Sequence, residues 1–362
     1  MDNLTSIRTR IGDLDRELMD LIAERVQLAA DAGELKRDRG VGPRDFVVER
    51  AVVDRYRQGF TDRDLLPDAG ERVANELFTE TLRVQEEAAR ATVQPEPGHV
   101  LLVGGAGRMG SWFARYFEGL GHEVTIYDPG GRLPGFAHTE SLRDTASAVD
   151  SVVISTPPDT VEEVLDALVG IDAAIVDIAS LKSPFIDTIE RLAETQPIAS
   201  VHPMWGPDTR VLSDKYLLVC DCGNERGTEA ARELFEPTQA TVVPVPLAEH
   251  DWAMAFTQVL PQALSLLFAD LLSGSPFTLE ELNERGGGSF SRQAEVTEAV
   301  VRSSPGVYRQ IQALNDHAPE IYDRLHEALD QLMEDCQDPD AFADMLHRYR
   351  HFFDGQMEGR HP

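Results

Sequence analysis

The sequence predicts an all-α N-terminal module, an α/β domain on a mostly parallel sheet, and an all-α C-terminal domain. Three observations predict it. Through residues 1–92 apolar residues recur at steps of three and four. From residue 99 short apolar runs alternate with helical stretches, the rhythm of parallel strands covered by helices on both faces. From Leu247 strand patterning stops and only long helical stripes remain. The boundaries read as 1–92, a linker at 93–98, 99–246 and 247–362, the linker Val93-Gln-Pro-Glu-Pro-Gly98 carrying two prolines and a glycine.

In the first module Leu4, Ile7, Ile11, Leu14, Leu18, Leu21, Leu28, Ala32 and Leu35 form one seam along a long helix. The seam misses one beat, at Arg25. A guanidinium there needs a partner or an anionic ligand, because burying it alone is costly. Lys36, eleven residues on, projects within roughly 20° of Arg25 and about 16 Å further along the axis, so the two can converge on a small dianion. After Pro43, Asp45 reads as a helix N-cap, and Glu49 shares a face with Phe46, Val52, Val53 and Tyr56. In a third helix, near 69–90, Thr81 and Gln85 fall on the stripe of Ala74, Leu77 and Ala88.

The middle domain opens on Val100-Leu-Leu-Val-Gly-Gly-Ala-Gly-Arg-Met-Gly110: a buried strand, then Gly105, Gly107 and Gly110 as G-x-G-x-x-G at the start of a helix over 111–120. Val124–Tyr127 is the next strand and ends at Asp128, where a dinucleotide fold carries its ribose acid. The helix start, with Arg108 and Met109, offers N–H groups to a pyrophosphate. The domain is thus Rossmann-like. Strands follow at 151–156, 173–178, 198–201, 216–220 and 240–245, with helices at 160–168, 185–193 and 228–235. Ligands bind beyond the carboxyl ends of such strands, and there stand Ser155-Thr156, Ser180-Leu-Lys182 and His202-Pro-Met-Trp-Gly-Pro-Asp208. Asp128 favours NAD, since a carboxylate repels a 2′-phosphate; nearby Arg132 suits NADP instead.

Composition narrows the classes. The 362 residues carry a formal net charge of −30, which excludes a basic nucleic-acid footprint. Lysine occurs only at 36, 182 and 215, and acid excess with few lysines suits a protein kept soluble in concentrated salt. No leader is visible, and the apolar stretch 253–272 is broken by Gln258, Pro261, Gln262 and Asp270, so a core or dimer helix is expected rather than a membrane span. Cys220, Cys222 and Cys336 lack zinc spacing; no metal is expected, and the set suits a reducing cytoplasm.

Residues 4–90 resemble the all-helical chorismate mutase domain, without a gap from Arg8 to Gln85. The resemblance implies that Arg8, Arg25 and Lys36 grip the substrate carboxylates and ether oxygen. Because Arg8 lies seventeen residues before Arg25, about 25 Å along one helix, the resemblance also implies that it reaches that pocket from a partner's antiparallel helix, in a homodimer with shared sites. Asp45, Glu49, Thr81 and Gln85 would complete the pocket, with Glu49 on the ring hydroxyl and Gln85 on the ether oxygen. The family commonly has arginine just before this glutamate; here it is Val48. Residues 99–350 resemble prephenate dehydrogenase, especially the form fused behind a chorismate mutase. The resemblance lies in the glycine motif, Asp177-Ile-Ala-Ser-Leu-Lys182, His202–Asp208 and Glu249-His-Asp-Trp-Ala-Met-Ala-Phe256. It implies chorismate and prephenate as substrates, His202 as base for the ring hydroxyl, Ser180 as its orienting partner and His250 near the substrate. Where fused relatives can have a second histidine, this chain has Gln262. For the arginine on the ring carboxylate, Arg292 and Arg302 both lie in the right region, and the position before Pro305 and Tyr308 favours Arg302. Tyrosine biosynthesis is the implied role. Oxidation of arogenate, or a non-catalytic helical module used for dimerisation or sensing, are the alternatives.

Overall fold

The computed structural model describes residues 3–37, 46–92, 96–213, 215–235 and 237–354. Asp45 therefore lies outside the described residues, and of Lys36 only the backbone, in the last turn of the first helix, is described. Contacts divide the chain into two compact units, Met1–Ser180 with Asp187–Leu247, and Leu181–Ile186 with Ala248–Pro362.

The first unit begins with α1 (Asn3–Arg37), α2 (Phe46–Thr61) and α3 (Pro67–Thr92). The side of α1 that packs inward is Val26, Ala30 and Gly33, against a face of α3 that buries Ala74, Leu77, Leu82, Thr81 and Gln85. The apolar seam read from the sequence is not that side. Leu4, Ile7, Ile11, Leu14, Leu18, Leu21, Leu28 and Leu35 all stand exposed in the single chain. A three-residue step that looks like core is here a surface a second helix can cover.

The sheet follows: β1 (His99–Val103), α4 (Arg108–Gly119), β2 (Glu123–Tyr127), β3 (Ala137–His138), α5 (Leu142–Ala146), β4 (Ser151–Ile154), α6 (Pro158–Ala167), β5 (Ala174–Asp177), α7 (Ile186–Ala193), β6 (Ile198–Pro203), β7 (Tyr216–Asp221), α8 (Glu225–Phe235) and β8 (Thr241–Pro246). Spatial order is β3-β2-β1-β4-β5-β6-β7-β8, every pair parallel except β6–β7. The chain leaves β1 first toward β2 and later returns on its other side as β4. The topological switch point therefore opens beside the glycine loop. Continuous burial of β1, β4, β5 and β6 explains why their sequences run apolar without alternation. The core between sheet and helices includes Phe113, Phe117, Val176, Val201, Trp205 and Phe235, with Phe113 and Phe235 edge to face at 5.6 Å. Helix α8 approaches β6 so closely at Gly227 that a Cβ there would lie 2.1 Å from the Ile198 carbonyl oxygen.

In the second unit α9 (Leu247–Met254) runs through a π-turn at Ala255–Val259 into α10 (Leu260–Ser273). Then come α11 (Leu279–Arg285), α12 (Gly288–Val301), α13 (Pro305–Leu314), α14 (Ala318–Asp335) and α15 (Pro339–Phe353). Leu181, Ala255, Val259, Ile311, Ala318 and Ile321 form its core. By length and composition Leu247–Ser273 could cross a bilayer, but its buried side includes polar Gln262 and Ser265, while Leu264, Leu266, Leu267 and Leu271 are exposed.

Because the Gly227 contact is with backbone that cannot rotate away, Gly227→Ala should cost about 3 kcal/mol in urea unfolding. A change below about 0.5 kcal/mol would contradict this packing.

Candidate functional site

Chemistry-bearing residues gather at two places in the first unit. Between α1 and α3, Arg25 is half-buried and its guanidinium donates to Thr81 Oγ1 at 3.3 Å, with its carbon 5.7 Å from the Phe78 ring centre. Thr81 is steadied by donating its own hydroxyl to Leu77 O at 2.7 Å. Gln85 Nε2 donates to Ala29 O at 2.7 Å. In this pose it lies over Gly33, where a Cβ would stand 2.4 Å from Nε2, so a larger residue at 33 would make the Gln85 side chain shift. Glu49 is half-buried on α2, and Val48 before it is exposed. Arg8 stands exposed near the other end of α1. The fold thus brings Arg25, Thr81 and Gln85 together and keeps Arg8 apart from them.

The second place is a cleft of about 440 Å³ at the switch point, lined by Val103, Gly104 and Gly107, by Tyr127 and Asp128, and by Ser155 and Thr156. These are the carboxyl ends of β1, β2 and β4. Close approach governs the glycines. A Cβ on Gly110 would lie 2.2 Å from Gly104 O, and one on Gly105 would lie 2.9 Å from the Ile126 side chain. A Cβ on Gly107 would lie 3.2 Å from Gly104 O, again tight against backbone. Gly107 caps α4 with extended backbone and no side-chain hydrogen bond, leaving the helix start to a ligand. Gly104, not singled out from the sequence, has φ +80°, and a Cβ there would meet Ser155 O at 2.7 Å. It is the residue that lets β1 turn out of the sheet.

Asp128 accepts from Ala106 N at 2.9 Å and Gly130 N at 2.8 Å, so its carboxylate both shapes the glycine loop and borders the cleft. Arg132 is exposed and 3.9 Å from Glu140. Thr156 Oγ1 is buried without a hydrogen-bond partner among the described residues, a polar atom on the cleft wall. Open backbone at a helix start, an acid at the end of β2 and that hydroxyl fit a dinucleotide. Of the two side chains in the motif, Arg108 turns to Asp208 at 2.7 Å and Met109 packs on the core, so their part at a phosphate is through backbone.

Further along the sheet edge, Ser180 follows β5 and His202 is the fifth residue of β6, so the two occupy neighbouring strand ends. His202 is buried, and Ser180 half-buried. Asp177 Oδ1 accepts from Ala179 N at 3.0 Å and holds the turn that presents Ser180.

In the second unit His250 is fully buried on α9, with Nδ1 2.6 Å from Asp251. Its observed neighbour is thus a carboxylate in the protein interior. Asp251, given no role of its own in the sequence analysis, accepts from Lys182 N at 2.9 and 3.0 Å, from Ser183 N at 2.5 Å and from the Ser183 hydroxyl. Burial alone would push this carboxyl up. The hydrogen bond and charge of His250, with the Ser183 bonds, outweigh burial and hold it at about 2. Gln262 is buried and its Oε1 accepts from Gln312 Nε2 at 3.0 Å; Tyr322 donates to Gln312 at 2.5 Å. Arg292 is exposed and donates to Gly288 O at 3.2 Å, while Arg302, also exposed, pairs with Glu298 at 2.6 Å.

Comparison with known proteins gives the following. Residues 7–86 match the family model of chorismate mutase type II, and residues 134–244 that of the prephenate dehydrogenase nucleotide-binding domain. The chain is similar to the T-protein of Enterobacter agglomerans, 26% identical over 358 residues, which cover 97% of this chain and 93% of the relative. It is 23% identical to the T-protein of Haemophilus influenzae over 364 residues, 99% of this chain and 94% of the relative. Among solved structures, prephenate dehydrogenase from A. aeolicus in complex with hydroxyphenyl propionate and NAD+ aligns with a TM-score of 0.57 at 21% identity. That alignment covers 72% of this chain and 97% of the other. Synechocystis arogenate dehydrogenase aligns at 0.56 and 16% identity, over 72% and 100%. These structures share the fold.

The folded-state pKa of Asp251, below the ordinary 3.8, adds stability above about pH 4 that disappears as pH falls through about 2. The stability gap between the native chain and Asp251→Asn should shrink by about 2 kcal/mol between about pH 5 and pH 2 in urea titrations. A gap that does not change with pH contradicts the assignment.

Proposed function

We infer that this chain is a bifunctional enzyme of tyrosine biosynthesis, a chorismate mutase joined to an NAD-dependent prephenate dehydrogenase. The observation that carries the reading is the succession, in one chain, of a mutase-type helical domain over 7–86 and a prephenate dehydrogenase nucleotide-binding domain over 134–244. The helical module makes prephenate, which favours prephenate over arogenate as the substrate of the second step.

Rearrangement of chorismate needs no nucleophile, only a pocket that holds the reactive conformer and stabilises charge at the breaking C–O bond. Arg25 and Lys36 take the carboxylates and ether oxygen, with Gln85 on the ether oxygen. Thr81 steadies Arg25, Glu49 takes the ring hydroxyl, and Asp45 helps to complete the pocket. Arg8 serves the site of a partner chain. A homodimer is supported by the exposed leucines and isoleucines of α1 and by the exposed leucines of α10, both apolar faces that a second copy can cover.

In the second step the bound nicotinamide supplies the hydride acceptor. His202 takes the proton of the ring hydroxyl as hydride leaves the same carbon, and Ser180 orients that hydroxyl. Loss of the ring carboxylate as carbon dioxide then gives aromatic 4-hydroxyphenylpyruvate, which makes the step effectively irreversible. Gly105, Gly107 and Gly110, with the backbone of Arg108 and Met109, take the pyrophosphate. Asp128 takes the ribose, and Ser155 and Thr156 line the opposite wall. Arg302 binds the ring carboxylate, with Arg292 the second candidate; His250 supports the substrate side of the helical unit from its buried place beside Asp251. The acidic, lysine-poor composition supports function in concentrated salt, and three free cysteines suit a reducing cytoplasm. Nothing in the reading calls for nucleic acid or membrane partners.

Two substitutions should separate the activities. His202→Asn should lower prephenate oxidation by 10²–10⁴-fold, roughly the contribution of a general base, and leave chorismate rearrangement within twofold. Arg25→Ala should do the reverse, with mutase kcat/KM down about 10²–10³-fold. Near-normal dehydrogenase turnover in His202→Asn would overturn the assigned base. Separately, Arg302→Ala should raise the KM for prephenate at least tenfold, whereas an unchanged KM there and a rise in Arg292→Ala would transfer the role.

A further inference from the structure

The segment from Met204 to Ser213, directly after β6, is tied down from three directions. Arg108, the first residue of α4, donates to Asp208 at 2.7 Å. Trp112 Nε1 on the same helix donates to Thr209 O at 3.0 Å. The third tie comes from the helical module. Glu86 on α3 is buried, and its carboxylate accepts from Leu212 N at 2.8 and 3.0 Å, from Ser213 N at 2.5 Å and from the Ser213 hydroxyl. Glu86 is the residue after Gln85, which turns the other way, to Ala29 on α1. One turn of α3 therefore carries a side chain for the mutase pocket on one side and an anchor for the dehydrogenase loop on the other.

We propose that Glu86 is a positioning residue for the dehydrogenase: from the mutase helix it fixes the loop after His202, and through Asp208 it fixes Arg108 at the start of the cofactor helix. A buried carboxylate that accepts from two successive backbone N–H groups makes charge-assisted bonds, stronger than neutral ones. Truncating it leaves those donors buried and unpaired, a penalty the loop escapes only by moving toward water. The Arg108–Asp208 pair is exposed on both sides and contributes little by itself, so its geometry depends on where the loop is held. His202 itself lies in β6, paired to Leu218 of β7, and does not depend on this anchor. The inference rests on the dehydrogenase reading above.

The test is steady-state kinetics on the full chain for Glu86→Ala, Glu86→Gln, Ser213→Ala, Asp208→Ala and the double variant Glu86→Ala/Asp208→Ala, with NAD varied at saturating prephenate. The expected result for Glu86→Ala is an NAD KM raised about tenfold, with dehydrogenase kcat within threefold and mutase kcat/KM within twofold. Glu86→Gln, which keeps one acceptor oxygen, and Ser213→Ala should fall between it and the native enzyme. Asp208→Ala should add little in the Glu86→Ala background. A merely structural role would reduce the active fraction and so lower kcat with KM unchanged. That result, or an unchanged NAD KM in all Glu86 and Ser213 variants, overturns the proposal. If Glu86→Ala does not fold, the milder Glu86→Gln and Ser213→Ala carry the same prediction. A native enzyme that does not oxidise prephenate with NAD overturns the dehydrogenase reading along with it; a native enzyme that does, beside variants with native KM, overturns this proposal alone.

Discussion

The backbone of Gly104 and the Cα of Gly110 approach so closely that no side chain can stand between them. That contact brings the start of α4 against the end of β1. It sets the start of α4 at the carboxyl end of β1, the strand between β2 and β4, where Gly104 and Gly107 line the cleft. Asp128 then reinforces the loop through Ala106 N while lining the same space. The cleft is a consequence of sheet order and one steric contact, and the residues farther along the edge, Ser180 and His202, inherit their places from the strands β5 and β6 in that order.

Two buried carboxylates repeat one device elsewhere. Asp251 accepts from the backbone of Lys182 and Ser183 and from the Ser183 hydroxyl; Glu86 accepts from the backbone of Leu212 and Ser213 and from the Ser213 hydroxyl. In each case an acid on a helix satisfies consecutive backbone donors of a segment far away in sequence, which would otherwise require water. Asp251 fixes Leu181–Ile186 within the helical unit, and Glu86 fixes a loop of the sheet to the helical module. The chain thus uses negative charge, of which it has an excess, as internal fastening as well as surface.

Much of this was legible in the sequence where a period or a spacing carried it. Continuous apolar runs marked the strands, and the glycine spacing with Asp128 marked the cleft. Arg25 was visible as an interruption of a pattern, and it does lie beside Thr81. The seam of α1 was legible as apolar but not as exposed in the single chain, because periodicity reports that a face is apolar and is silent on what covers it. Glu86 was not singled out, and Asp251 stood only as one letter of the Glu249–Phe256 motif, since a carboxylate in a helix reads as solvated until the opposite backbone is known. Gly33 and Gly104 were missed for a related reason: one is defined by a side chain fifty-two positions away, the other by a positive φ. The two-residue β3 and the antiparallel β7 depend on pairing partners, which no local pattern encodes.

The central claim is that one polypeptide carries chorismate through to an aromatic product. The most direct measurement supplies the purified chain with chorismate and NAD and no prephenate, and follows enol ether, reduced cofactor and carbon dioxide together. The account predicts one equivalent of reduced cofactor and one of carbon dioxide for each chorismate lost, after a lag set by prephenate. Chorismate consumed with no reduced cofactor formed, or chorismate left untouched while added prephenate is oxidised, would contradict it.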